Sequence, residues 1–320
     1  MWPRSLFAST CLVGHHDAVR PLWITIRLAL ALATAGCGSA SGPSIAADSA
    51  STSPSGTPTA EAASATASPS LAAASAPAPA RASASTGRWK PRVGQTWQWQ
   101  LSGRLDLTVP AEVYDVDLFT TTAAQVAALH KAGRKVICYL NAGAQEDFRA
   151  DSGRYPKSVL GKELDGWPGE HWVDVRRWDL LSPILTDRMK MCRDKGFDGV
   201  EPDNLEAYAN DSGFSLTAAD QLAFNRRVAD LAHRHGLAVG LKNDVDQAEQ
   251  LQPSFDFAVN EECAQYAECA RLSVFITAGK PVFHVEYDLS PAQFCPATKK
   301  LRFASMRKHL DLDAWRSVCP

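Results

Sequence analysis

The chain has 320 residues and a formal net charge of −2. Proteins that bind nucleic acids usually carry an excess of basic residues, so this balance argues against a nucleic-acid partner. Residues 38–87 are mostly Ala, Ser, Pro, Thr and Gly, with only three charges. Such a composition cannot bury enough apolar surface to offset its conformational entropy, and it predicts a disordered linker. Residues 88–320 remain, which suffice for one sizeable core and are too few for two comfortable domains.

The first 37 residues have the pattern of an export signal. Three arginines precede the apolar run 28–33, and small residues lead from it to Cys37. This pattern predicts a signal peptide, because the run is too short for a membrane span of about 20 apolar residues. The residues Ala35-Gly36-Cys37 are similar to a bacterial lipobox, although Thr34 stands where that pattern usually has Leu. We therefore expect an exported lipoprotein on the outer face of the cell membrane, anchored only through Cys37, with simple secretion as the alternative.

From residue 95 onward, short β-rich runs alternate with helical patterns. Helices are predicted over 121–132, 180–195 and 217–235, each followed directly by a glycine, which is a common helix end. Strands are predicted over 97–101, 112–118, 135–140, 172–176, 197–201, 237–242, 257–260 and 281–286. Eight strands with helices between them fit a (β/α)8 barrel, the TIM-barrel fold. A doubly wound sheet is the alternative, but it would more often show a glycine-rich phosphate turn, and none is present.

Six cysteines follow Cys37, an even number that favours disulfides in an exported protein. Fifteen pairings are possible. Proximity in the sequence suggests Cys263 with Cys269 and Cys295 with Cys319, which leaves Cys138 with Cys192. A zinc site is less favoured because no Cys-x2-Cys pair is present and the histidines lack ligand spacing. No metal or cofactor is predicted.

The predicted strands end in polar residues. Five of them end at Asp115, Glu201 with Asp203, Asn243, Glu261 and Glu286. Active sites of such barrels form at the carboxyl ends of the strands, and inward carboxylates are costly to bury unless they are paired. Two carboxylates can flank a glycosidic bond as nucleophile and acid/base, and crowding raises one pKa. Nearby aromatic residues offer faces for sugar rings, although each alone is more often explained by packing: Tyr139, Trp167, Trp172, Tyr208, Tyr266 and Tyr287. Neither a G-x-S-x-G nor an H-E-x-x-H motif is present.

Motifs in the same order carry a family resemblance across about residues 95–319. They are VYDVD at 113–117, ICYLNAG at 137–143, GFDGVEPDN at 196–204, GLKN at 240–243 and VNEEC at 259–263. The chain resembles glycoside hydrolase family 114, the endo-α-1,4-polygalactosaminidase type. The resemblance implies a TIM barrel and endo-cleavage of α-1,4-linked polysaccharide that contains galactosamine. It also implies a catalytic pair at Asp203 and Glu261.

We hypothesise that Asp203 is the nucleophile and Glu261 the acid/base, with retention of configuration. Glu262 stands where similar proteins have Gln, so it is an alternative acid. The resemblance further implies a cleft lined by Asp115, Tyr139, Glu201, Lys242, Asn243, Glu286 and Tyr287. We expect a monomer whose partner is a galactosamine-rich polysaccharide. Two other functions stay open at this point: a catalytically silent polysaccharide-binding barrel and a metal-assisted hydrolase of phosphodiester bonds.

Overall fold

The computed structural model of the protein describes residues 87–320. The predicted signal peptide over 1–37, the lipidation of Cys37 and all but the last residue of the predicted linker over 38–87 lie outside the described residues. In the described part, none of the helices is long and apolar enough to cross a membrane.

The secondary structure alternates strands with helices after residue 97. The strands are β1 (Trp97–Gln100), β2 (Val113–Asp117), β3 (Lys135–Asn141), β4 (Ala144–Glu146), β5 (Leu160–Leu164), β6 (Trp167–Val173), β7 (Gly199–Asp203), β8 (Ala238–Lys242), β9 (Phe257–Glu261), β10 (Val282–Glu286), β11 (Ala304–Arg307) and β12 (Ser317–Val318). The α-helices are α1 (Ala123–Lys131), α2 (Trp178–Lys195), α3 (Ala218–Arg234), α4 (Ala248–Leu251), α5 (Ser273–Thr277) and α6 (Pro291–Lys300).

One curled sheet carries the fold. Its strands follow the order β1-β2-β3-β7-β8-β9-β10-β11-β12, and every neighbouring pair is parallel except β11 with β12. From β2 onward, the connections between successive parallel strands contain helices, as βα units require, whereas β1 and β2 are joined without one. This TIM-barrel-like α/β architecture confirms the predicted fold class. Because the strands are parallel, all of their carboxyl ends meet at one end of the barrel.

The structure has eight parallel strands, as predicted, but one of the predicted strands does not belong to the barrel. Residues 172–173 end β6, which belongs to a separate antiparallel sheet in the order β4-β6-β5, and residues 174–176 are not in a strand. The missing barrel strand is β11, which the prediction omitted. The run Trp172-Val173 satisfies the apolar pattern of a barrel strand, whereas β11 reads Ala-Ser-Met-Arg and gives little pattern to detect.

The lower part of the barrel interior is packed with apolar side chains. The ring centroids of Trp97 and Phe283 lie 5.0 Å apart, and those of Phe257 and Phe283 lie 5.7 Å apart. Val285 and Met306 complete this cluster and are fully buried. The interior is therefore a solid core rather than a channel.

Residues 308–318 lie along β1 and β11. The backbone N–H groups of Leu101 and Ser102 both donate to the carbonyl of Leu312, at 2.9 and 3.2 Å. The buried ammonium of Lys308 donates to the carbonyl oxygens of Asp313 and Trp315, both at 2.6 Å. This segment therefore lies at the barrel wall beside β1 and β11, which are the first and the eighth of the parallel strands.

Three disulfides join Cys138 to Cys192, Cys263 to Cys269 and Cys295 to Cys319. These are the pairs that proximity in the sequence suggests. The first ties β3 to α2, the second closes the loop after β9, and the third fixes the chain end to α6.

Candidate active site

Three neighbouring strands end in the side chains at the centre of the site. Asp203, Lys242 and Glu261 are the last residues of β7, β8 and β9. Each is followed by a residue in the left-handed region: Asn204 at φ 61°, Asn243 at φ 48° and Glu262 at φ 60°. This conformation is uncommon outside glycine and often marks a functional position. Here it turns the chain away immediately after each central residue.

The ammonium of Lys242 lies among three carboxylates. Its Nζ is 2.9 Å from Asp203, 3.0 Å from Glu261 and 3.3 Å from Glu201. It also lies 4.8 Å from the ring centroid of Trp99, whose face forms the floor of the site. Burial alone would lower the pKa of Lys242, but the three carboxylates raise it well above its usual value. Lys242 is therefore a permanent cation.

Asp203 is held in its ionised form. Lys242 and the Tyr139 hydroxyl donate to its two oxygens at 2.9 and 2.7 Å, and the N–H of Asn204 donates at 2.9 Å. Burial opposes the charge, but the nearby ammonium and these hydrogen bonds keep the pKa of Asp203 below its usual value. A stable carboxylate at the barrel mouth suits a nucleophile.

Glu261 is oriented by neighbours on both of its oxygens. The Tyr287 hydroxyl donates to Oε1, and the amide of Asn243 donates to Oε2 at 3.1 Å. The Asn243 side-chain oxygen in turn accepts from the backbone N–H of Glu261 at 2.9 Å. Burial and the charge of Glu261 raise the pKa of Tyr287 well above its usual value, so its hydroxyl stays a donor.

Asp115 and Glu201 form a buried pair beneath Lys242. Both side chains are fully buried, and within residues 87–320 no hydrogen-bond donor reaches the carboxyl of Asp115. Burial, followed by the charge of Glu201, raises the pKa of Asp115 well above its usual value. Two carboxyls in contact can share a hydrogen bond only if one holds a proton, so we assign that proton to Asp115. The pair then carries a single negative charge under the ammonium.

The shared lysine brings the catalytic candidates close together. Because Lys242 Nζ contacts an oxygen of Asp203 and an oxygen of Glu261, those two oxygens lie within about 6 Å of each other. Retaining glycosidases keep their carboxyls about 5–5.5 Å apart, while inverting enzymes need about 6.5–9.5 Å for an intervening water. The arrangement can therefore place both groups against one glycosidic bond.

Comparisons with known proteins agree with this geometry. The model of glycoside hydrolase family GH114 matches residues 78–320. This chain belongs to that family. It is 40% identical in sequence to Ega3 of Aspergillus fumigatus, whose structure was solved in complex with galactosamine; the match covers 74% of this chain and 100% of that one, with a TM-score of 0.70. An uncharacterized protein of Deinococcus radiodurans is 30% identical over 247 residues, 66% of this chain and 78% of that protein.

The glycoside hydrolase domain of PelA from Pseudomonas aeruginosa has the same fold. The TM-score is 0.55 at 14% identity, and the match covers 69% of this chain and 97% of that one. Family membership makes the chain a glycoside hydrolase, so the silent binding barrel and the phosphodiester hydrolase are no longer favoured.

Most of the predicted cleft residues of this GH114 enzyme come together. Tyr139, Glu201, Lys242, Asn243 and Tyr287 all contact Asp203, Glu261 or the ammonium between them. Asp115 lies one layer deeper and reaches the site only through Glu201. Glu262 is half-buried next to Glu261, and burial with the charge of Glu261 raises the pKa of Glu262 to about 7.

Glu286 does not line the cleft, contrary to the prediction. Side chains alternate along a strand, and Val285 faces the barrel interior, so Glu286 faces the helices. Its carboxylate is fully buried, accepts from the N–H of Ala264 at 2.8 Å and pairs with His284 at 2.9 Å. Glu286 therefore holds the loop after β9, the same loop that the Cys263–Cys269 disulfide closes.

The sequence prediction missed a second buried carboxyl pair beside the site. Glu206 accepts from the backbone N–H of Asp244 at 2.7 Å, and Asp244 accepts from Asn225 at 2.9 Å. Burial raises the pKa of Glu206 to about 7, and burial with the charge of Glu206 raises that of Asp244 to about 8. The pair fixes the turn after β8 and so positions Lys242. Glu206 lies beyond the strand end, where a strand-end pattern gives no signal.

Two groups of possible metal ligands occur in the described part of the chain, and neither includes Asp203 or Glu261. One contains Cys263, Cys269 and His284, but the two sulfurs are joined to each other. The other contains His309, Asp311 and Asp313 in the segment after β11. Between Asp203 and Glu261, the Lys242 ammonium takes the central position that a cation would occupy.

Proposed function

We propose that the protein is an endo-acting hydrolase of α-1,4-linked, galactosamine-containing polysaccharide that works with retention of configuration. Asp203 is the nucleophile and Glu261 the acid/base. The observation that carries this proposal is the Lys242 ammonium, which contacts one oxygen of each carboxylate at 2.9 and 3.0 Å and so holds both groups at one point of the barrel mouth. The galactosamine bound to the 40% identical Ega3 supports the substrate class.

In the first step, Asp203 attacks the anomeric carbon while Glu261 gives its proton to the glycosidic oxygen. The carbon–oxygen bond to the leaving chain breaks, and a glycosyl ester forms on Asp203. In the second step, Glu261 takes a proton from water, the water oxygen attacks the same carbon, and Asp203 leaves as a carboxylate.

The Lys242 ammonium can stabilise the negative charge on either carboxyl during these two steps. In the reactive form Glu261 holds the proton that it will donate, so the negative charge of the pair resides on Asp203, which the ammonium stabilises. When the ester forms, that charge disappears and Glu261 becomes the carboxylate, 3.0 Å from the same ammonium. From this form onward the two carboxyls together carry one negative charge in both steps, so a fixed cation between them serves both steps.

The acidic mouth supports a substrate with free amines. Glu262 follows Glu261 in the chain and its charge raises the pKa of Tyr287, while the charge of Asp288 raises the pKa of Glu262. A cleft lined by one sign of charge raises the local concentration of an oppositely charged polymer. A polymer of unacetylated galactosamine is cationic at neutral pH and fits this field.

The test uses partly deacetylated α-1,4-galactosamine polymer, with and without EDTA, and mass spectrometry of the products. Wild type should release short oligomers in both conditions, whereas Asp203→Asn and Glu261→Gln should release none. The matched control is Glu262→Gln, which alters the adjacent carboxyl and should keep activity. Loss of activity in Glu262→Gln alone would move the acid to Glu262. Binding without cleavage by wild type would refute the hydrolytic proposal.

Retention needs a separate measurement. NMR of the first-formed product should show the α-anomer at the new reducing end. An initial β-anomer would mean inversion and would remove Asp203 as nucleophile.

We also propose that the chain is exported and anchored through lipidated Cys37, or secreted. Three disulfides in the described part support an oxidising compartment. Metabolic labelling with a fatty acid should mark wild type and not Cys37→Ala. Recovery of wild type from the cytosol would refute export.

A further inference from the structure

The small antiparallel sheet after β3 brings two carboxyls face to face. Glu146 on β4 is directly opposite Glu170 on β6. Like charges at directly opposed positions of an antiparallel pair are destabilising, because the side chains lie only about 5 Å apart. Two ionised carboxylates would therefore repel each other at this position, which favours a proton on one of them.

The two carboxyls differ in their ion-pair and hydrogen-bond partners. Glu146 pairs with Arg149 at 2.8 Å, and its other oxygen lies 3.9 Å from Arg188. Among residues 87–320, Glu170 accepts a side-chain hydrogen bond from the amide of Asn141, at 3.2 Å. No lysine, arginine or histidine in that range forms an ion pair with Glu170, and its side chain is partly exposed.

Glu170 lies on the nucleophile's side of the site. Asn141, its hydrogen-bond partner, is directly opposite Asp203 in the pairing of β3 with β7. Burial, then the charges of Glu146 and Asp203, raise the pKa of Glu170 to about 8, against weaker opposing effects of Arg149 and Lys242. Glu170 therefore favours its protonated form at neutral pH, and a cation placed beside it would favour the ionised form instead.

We propose that Glu170 determines specificity by binding the ammonium group of the galactosamine residue that Asp203 attacks. In that sugar the amine is on C2, next to the anomeric carbon that the nucleophile reaches. Glu170 accepts a hydrogen bond from Asn141, which is directly opposite Asp203. Glu170 is therefore placed to accept from this amine as well. An N-acetyl group carries no charge and would leave this carboxyl without a cation. This inference rests on the proposed function, because it concerns the same substrate.

The experiment compares wild type and Glu170→Gln on two sets of α-1,4-galactosamine oligomers, one fully de-N-acetylated and one fully N-acetylated. Wild type should strongly prefer the free amine. Glu170→Gln should lose about 100-fold in kcat/KM on the amine and little on the acetylated oligomer, since a site built to bind a polar group discriminates through it. Asp165→Asn, in the turn of the same hairpin, is the matched control and should keep the wild-type preference.

A melting curve separates recognition from a structural role. Removing one of two opposed carboxylates should leave the Tm unchanged or raise it. Glu170→Asp keeps the charge on a shorter side chain and should recover part of the preference.

Two results would overturn the inference: an unchanged preference in Glu170→Gln, or an equal loss on both oligomers together with a lower Tm. If wild type cleaves neither oligomer, the proposed function itself fails, and this inference with it.

Discussion

The lower and upper halves of the barrel interior are built from the same strands and do different work. Along β9, the inward residues are Phe257, Val259 and then Glu261; along β8, they are Ala238, Gly240 and then Lys242. The lower positions fill an apolar core, and the last position of each strand supplies the chemistry. Two residues along a strand thus separate a position that sets stability from one that sets activity.

The strongest test of this division is Asp203→Asn. The loss of the proposed nucleophile should reduce kcat on the order of 10⁴-fold, because in the proposed mechanism no other group takes over its covalent role. The Tm should change little, since the amide can still accept from Tyr139. Steady-state kinetics beside a melting curve would check both. A large fall in Tm would mean that the upper half also carries stability.

Lys242→Met should affect both halves. It removes the cation between Glu201, Asp203 and Glu261. Breaking a buried ion pair from one side costs about 3–5 kcal/mol, because it leaves uncompensated charge. Denaturant unfolding should show this loss, and activity at neutral pH should be abolished as the carboxylates take up protons. Full activity in the variant would refute the shared-cation mechanism.

Phe283→Ala is the converse change in the lower half. Phe283 is fully buried and packs against Trp97 and Phe257. The cavity should lower the free energy of unfolding by about 3–5 kcal/mol. The kcat of the folded fraction, measured well below the Tm, should stay near wild type. A collapse of kcat would show that the core sets the positions of the strand ends.

The pH dependence of stability should depend on the carboxyls in and around the upper half of the barrel interior. Burial raises the pKa of Glu201 and Glu206 to about 7 and that of Glu170 and Asp244 to about 8. In the folded state these groups hold protons that the unfolded chain releases near its ordinary carboxyl pKa. Their contribution to stability is therefore complete below about pH 4 and is lost as the pH rises through 7 to 8. The Tm should fall between about pH 5 and pH 8, and Glu170→Gln should flatten the slope.

Tyr287→Phe should have the smallest effect. It removes one hydroxyl donor from Glu261, while Asn243 still holds the other oxygen. Loss of one hydrogen bond to a charged group should lower kcat about 10-fold. An unchanged kcat would show that Asn243 alone orients Glu261.

Strand and helix patterns predicted the fold, strand ends indicated a group of carboxylates, and the family resemblance singled out Asp203 and Glu261 among them. The Pro202-Asp203-Asn204 and Asn260-Glu261 motifs end predicted strands, and both carboxyls meet as expected. The prediction for Glu286 was wrong because a strand pattern locates the end of a strand but does not tell which face of the sheet its last side chain occupies. Glu170 was missed because it lies on an inserted sheet, where only the tertiary fold brings it to Asp203.

Residues 308–319 have a consequence for biosynthesis. Leu312 accepts from the end of β1, and Cys319 bonds to Cys295 on α6. The edge of the first barrel strand is therefore covered only once residues 308–319 are present. A ribosome makes the chain from its amino end, so β1 is synthesised long before this partner segment. The edge of β1 stays uncovered through the synthesis of all the other barrel strands, and the wall at this point can form only afterwards.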